Sequence, residues 1–155
     1  MAEPAPGFKW IFHRMGGLDQ VEFRTGEEIC RLRELDPKLW VALSCPAHGL
    51  EFDPRTLALV DSDHDGRIRI PEVIDAAEWA CARLKNPGLL PRPESALPLD
   101  AIDDSAETGR RLVATARAVL AARGKAGATA LGQDDAPPAA LHAPHQTFHA
   151  DGVPP

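Results

Sequence analysis

Asp61-Ser62-Asp63-His64-Asp65-Gly66-Arg67-Ile68-Arg69-Ile70-Pro71-Glu72 is the stretch on which the reading of this chain turns. Carboxylates stand at its first, third, fifth and twelfth positions, glycine at the sixth and a β-branched apolar residue at the eighth. A hard cation takes about six to eight oxygen ligands, and alternating side chains of a coiled loop can aim at one centre. Gly66 permits the sharp bend because it adopts positive φ at little steric cost. An aspartate-rich turn ending in glycine is also ordinary turn chemistry. Six matched positions at fixed spacing are what separate this run from such a turn.

The expected ligands are the side chains of Asp61, Asp63, Asp65 and Glu72 and the backbone carbonyl of Arg67. Arg69 cannot ligate through its side chain, so a water molecule is expected in that slot. His64 is expected to be an exposed bystander. Four carboxylates against two arginines leave the loop a net charge of −2. That modest charge predicts an affinity on the order of micromolar to tens of micromolar.

Both flanks read as helices. Asp53 serves as N-cap with Pro54 at the first helical position, and Phe52 and Leu57 take the positions of a hydrophobic staple. The helix they open is short, with Leu57 and Val60 inward. Pro71 can open a second helix, along which Val73, Ile74, Ala77, Ala80, Cys81 and Leu84 recur at helical spacing before Asn86-Pro87-Gly88 ends it. Helix, loop and helix over about residues 53–85 resemble the EF-hand superfamily of calmodulin-like calcium binders. The resemblance implies a Ca²⁺ site formed by Asp61, Asp63, Asp65, the Arg67 carbonyl and Glu72.

Such hands usually occur in pairs, joined through the eighth loop position, here Ile68. No second complete loop exists in the sequence. Thr147–Val153 is a partial echo whose twelfth slot would lie beyond Pro155, which points to a fragment of something longer. Residues from about 8 to 90 are also similar to the N-terminal part of bacterial EF-hand-containing proteins of no assigned activity. The stretches that carry this are Gly17–Val21, Lys38–Leu43 and Gly49–Asp53.

The remaining sequence sets the frame. At 155 residues the chain can bury a core of its own, and its net charge of −6 gives no basic footprint for nucleic acid or a membrane surface. No run approaches the roughly 18 apolar residues of a membrane span. The three cysteines, Cys30, Cys45 and Cys81, are odd in number and scattered, which argues against a disulfide framework and for a reduced, cytoplasmic protein. Cys30 and Cys81 read as small core residues.

Phe8–Arg14 and Gln20–Arg24 flank a glycine-bearing connection and suggest a β-hairpin. Thr25-Gly-Glu-Glu28 has capping-box spacing for a helix to about Leu35, and Asp36-Pro37 would start another running to Cys45-Pro46. Trp10, Trp40 and Trp79 are expected core anchors. Asp104–Glu107 offers a further capping box for a helix to Arg123, striped by Leu112, Val113, Ala116, Val119 and Leu120. That helix is expected to cover the EF-hand face that a second hand would cover.

The expectation is a mainly α (α+β) fold: one EF-hand, a small N-terminal β-hairpin and additional packing helices. Its segments are a flexible 1–7, a hairpin-plus-EF-hand unit at 8–88, a proline-rich connector at 89–98, a packing helix at 99–125 and a flexible tail at 126–155. His142, His145 and His149 lie in that tail, with no regular element to gather them on a metal. Enzymatic signals are weak. Cys45 and His48 lack an oxyanion element, and Gly16-Gly17 lacks the lysine and hydroxyl of a phosphate loop. The function expected is calcium binding in a regulatory or protein-interaction module, without catalysis. A protein partner or self-pairing through the loop would accompany it. The alternatives are a static structural ion, or an accessory domain of a longer protein.

Overall fold

A computed structural model describes residues 8–40 and 42–135. The histidines and the partial echo near the C-terminus lie outside these. The chain divides into two compact units, residues 1–81 and 82–155.

The first unit begins with an antiparallel hairpin of β1 (Phe12–Met15) and β2 (Leu18–Val21), turned by Gly16 and Gly17, both at positive φ. The helix α1 (Gly26–Cys30) follows, opened by the expected capping box. Glu28 carries that box: its carboxylate accepts from the Thr25 N–H at 2.7 Å and the Arg24 N–H at 2.6 Å. Two 3-10 turns, Leu32–Glu34 and Pro37–Leu39, come next, then β3 (Ser44–Pro46) and α2 (Pro54–Val60). The loop of interest carries β4 (Arg67–Arg69), and α3 (Ile70–Cys81) closes the unit.

Two small cores hold it. Leu32, Leu35 and Ile74 pack with Trp10, Ile29, Trp40 and Ala77. Ala47, Leu57 and Ile68 pack with Cys45, Val60 and Val73 directly beneath the loop. Trp10 and Trp40 thus anchor the core as expected, whereas Trp79 is 38% exposed. Arg33 clamps α3 from outside, with contacts of 2.5 Å to Glu78 and 2.8 Å to Asp75.

In the second unit, the 3-10 turn Pro87–Leu89 leads to β5 (Ala96–Pro98). A further 3-10 turn, Leu99–Ala101, precedes α4 (Glu107–Ala122) and β6 (Ala130–Gly132), which pairs antiparallel with β5. The expected stripe of α4 is used: Val113, Ala116 and Leu120 are buried against Leu99 and Ile102. Gly109 lets the start of α4 lie against the preceding chain, since a Cβ there would fall 1.7 Å from the Asp103 carbonyl oxygen.

Several expectations are corrected. Among the described residues the fold is a small α+β one, with four α-helices and three two-stranded antiparallel sheets, instead of mainly α with a single hairpin. Strands β3, β5 and β6 are three residues each and contain proline or glycine, so no alternation announced them. The helix expected from Asp36-Pro37 is only a 3-10 turn; Ser44–Pro46 is drawn into pairing with β4 instead. The second capping box does not form: Ala106 is the N-cap of α4 and makes no side-chain bond.

Cys30 and Cys81 are joined in a disulfide, not separate core residues, and Cys45 is free. An odd cysteine count leaves room for one bridge, and α1 and α3 bring these two together with Cα atoms 5.7 Å apart.

Candidate metal centre

Local backbone chemistry shapes the loop before any ion is considered. Asp61 caps the end of α2, its N–H donating to the Leu57 carbonyl at 2.9 Å. The Asp61 carboxylate then reaches across the loop, Oδ2 accepting the Gly66 N–H at 3.0 Å. Asp63 accepts the N–H of Asp65 at 3.2 Å, and Asp65 that of Arg67 at 2.9 Å. Each aspartate so spends one oxygen in turning the chain, the short-range bonding that favours this residue type in turns. Gly66 at φ +81° and His64 at φ +57° supply the left-handed steps.

The result gathers carboxylate oxygens of Asp61, Asp63 and Asp65 within 4.8 Å of one another. Asp63 and Asp65 are exposed, while Asp61 is buried at 5% exposure. Its Oδ1 has no hydrogen-bond partner. A buried carboxylate oxygen without a partner is costly, because the interior cannot solvate its charge.

Glu72 is positioned differently. It lies in the first turn of α3 and is buried at 9% exposure. Oε1 accepts from the N–H and hydroxyl of Ser62 at 2.8 and 3.3 Å, and Oε2 from the Arg69 N–H at 2.8 Å. These donors, the Arg69 N–H foremost, hold its carboxyl below the usual glutamate range. The structure therefore brings three of the expected side chains into one cluster, with Glu72 tethered to the same loop beside it.

Arg67 is placed by strand pairing. Ser44, Cys45 and Pro46 lie opposite Arg69, Ile68 and Arg67, and the Arg67 guanidinium turns outward to the Ser44 hydroxyl at 2.7 Å. Ile68, the eighth position, is buried at 4% exposure against Cys45.

Two features lay beyond the sequence reading. Ser62 holds Glu72, and Arg69 is more than a non-ligand. Its guanidinium bridges Asp65, in a short contact, and Asp63 at 3.5 Å. It keeps the Asp65 carboxyl below the ordinary aspartate range, and Asp65 in turn raises the Arg69 guanidinium. The signal available for this pair was opposite charge four residues apart.

The donor set suits a hard cation: carboxylate oxygens in excess, one of them buried and unpartnered, with no thiol or imidazole in the cluster. No protein-family model, curated protein or solved structure matches this chain. Among the described residues no helix is long and apolar enough to cross a membrane.

Proposed function

We propose that the chain binds one calcium ion through an EF-hand loop spanning Asp61–Glu72 and serves as a non-catalytic regulatory or interaction module. The observation that carries this reading is the buried, unpartnered Oδ1 of Asp61 beside the carboxylates of Asp63 and Asp65. A cation there relieves the burial cost of that oxygen and the mutual repulsion of the three groups together. Asp61, Asp63, Asp65, the Arg67 carbonyl and Glu72 would hold the ion. Oxygen donors of this charge favour calcium or a similar hard ion.

Glu72 couples the loop to α3, because it occupies the first turn of that helix. Drawing its carboxylate onto an ion would move α3 and the apolar residues from Val73 onward. Large side chains exposed on the same unit support an interaction role: Leu43, Phe52 and Leu59 are 71%, 60% and 79% exposed.

One observation favours the second reading, a static ion that only stabilises the fold. Both Glu72 oxygens are already bonded to the loop, so α3 has little distance to travel. The cytoplasmic expectation rested on unpaired cysteines, and the Cys30–Cys81 bond fits an oxidising compartment better.

Thermal melts and surface-dye binding in chelator and in excess calcium, run beside Glu72→Gln, test the proposal. Calcium at a hundredfold excess over its dissociation constant should stabilise the protein by about 2.7 kcal/mol. Glu72→Gln should lose most of that gain. A regulatory ion also changes dye binding, whereas a static one moves only the melting point. A melt indifferent to millimolar calcium sinks both versions.

A further inference from the structure

The second unit repeats the plan of the metal loop with the metal chemistry removed. In the first unit Ser44, Cys45 and Pro46 lie opposite Arg69, Ile68 and Arg67; in the second Ala96, Leu97 and Pro98 lie opposite Gly132, Leu131 and Ala130. The hydrogen bond that follows the pairing recurs as well. The Ala47 N–H reaches the Gly66 carbonyl at 2.9 Å, and the Leu99 N–H reaches the Thr129 carbonyl at 2.8 Å. Each first strand leads into a helix, α2 or α4, and each second strand follows the loop leaving that helix.

With this register Glu72 corresponds to Asp135, and the match extends to hydrogen bonding. Glu72 Oε2 accepts the N–H of Arg69, three residues earlier, at 2.8 Å; Asp135 Oδ2 accepts the N–H of Gly132, also three residues earlier, at 2.9 Å. Both carboxylates are buried, Asp135 at 6% exposure. The other oxygen is met from the loop's second position in both units: by Ser62 in the first, by the Lys125 ammonium at 2.6 Å in the second. At the places of Asp61, Asp63 and Asp65 stand Gly124, Ala126 and Ala128.

We propose that residues 96–135 form an ion-independent counterpart of the metal loop, in which Lys125 supplies from within the chain the positive charge that the first loop would draw from solution. Without aspartates at those three places the repulsion a cation would relieve is absent, and one ammonium suffices for Asp135, the carboxylate left at the four corresponding positions. The chain would thus contain one ion-responsive loop and one permanently closed loop, and would take a single calcium ion.

Amide hydrogen exchange in the full chain tests the lysine's role without calcium. Lys125→Met should speed exchange at Gly132 and Leu99 about fivefold, the scale of an ion pair exposed at its cationic end. Ala47 and Arg69 should be unaffected, and Lys125→Arg should restore the native rates. Unchanged exchange in Lys125→Met, or acceleration shared equally by Ala47, overturns the proposal. Terbium and calcium titrations test the ion count. Glu72→Gln should abolish sub-millimolar binding. Binding that survives Glu72→Gln and disappears in Asp135→Asn would show the second loop to be a metal site and overturn the proposal. A wild-type chain that binds no ion would instead sink the function proposed for the first loop, leaving the exchange result to decide this one.

Discussion

Replacing Cys81 by serine removes the covalent tie between α1 and α3, and the cost can be worked from the sequence separation of 51 residues that the disulfide closes. In the chain-entropy treatment a loop of that length restrains the unfolded ensemble by about 14 cal/mol/K, or about 4 kcal/mol at 25 °C. Small domains have only about 5–15 kcal/mol in total, so the first unit should become marginal. Its two small cores make that more acute, since neither contains a large, fully buried cluster. The assay is urea unfolding of wild type, Cys30→Ser and Cys81→Ser, each with and without reductant. The two variants should lose similar stability, and reductant should bring wild type down to their level while leaving them unmoved. Thiol titration of denatured, unreduced protein should find one free group, Cys45. A loss below about 1 kcal/mol in both variants, or three titratable thiols in the wild type, would refute the reasoning.

Arg69→Gln should tighten calcium binding several-fold, since the guanidinium now competes for Asp63 and Asp65 and its removal takes the loop charge from −2 to −3; weaker binding by calorimetry would count against that competition. Gly109→Ala should destabilise the second unit by about 3 kcal/mol, because the added methyl meets backbone at Asp103, which cannot swing aside as a side chain can. A melt within about 1 kcal/mol of wild type would contradict it. Acid should weaken the apo protein in a defined window. Glu72 and Asp135 are held below their ordinary values of 4.5 and 3.8, by the Arg69 N–H and by Lys125 respectively. Groups so depressed stabilise the fold fully above those values and cease to do so as pH falls through the lowered folded ones. Urea midpoints should therefore be level from pH 7 to about 5 and decline below 4.5, with a shallower decline in Glu72→Gln; a midpoint that rises on acidification would be the wrong sign.

The loop could be read from sequence because its chemistry is local. Asp61, Asp63, Asp65, Gly66 and Glu72 lie within a dozen residues, and turn geometry, with Gly66 at positive φ, is what draws the three aspartates together. Helix α2 was legible for the same reason, through Asp53 and Pro54 at its start. What escaped depends on partners far along the chain. Ser44–Pro46 is a strand only because Arg67–Arg69 lies opposite, and Ala96–Pro98 only because Ala130–Gly132 does. The same segment, read alone, continues a helix from Asp36-Pro37. Cys30 and Cys81 likewise pair because two helices converge, and spacing cannot announce which cysteines meet. Lys125 and Asp135 carry no motif at all; their kinship with Ser62 and Glu72 becomes visible only once the strand registers are aligned.

The pairing of Arg67–Arg69 has a thermodynamic corollary. One side of that strand is occupied by Ser44–Pro46 of the same chain, and the N–H groups of Arg67 and Arg69 donate to Asp65 and Glu72 of the loop itself. A hand that must dimerise to complete its sheet shows ion affinity that climbs with protein concentration. The proposed calcium loop of this chain already pairs with Ser44–Pro46, so a titration repeated across a hundredfold dilution should trace one and the same isotherm.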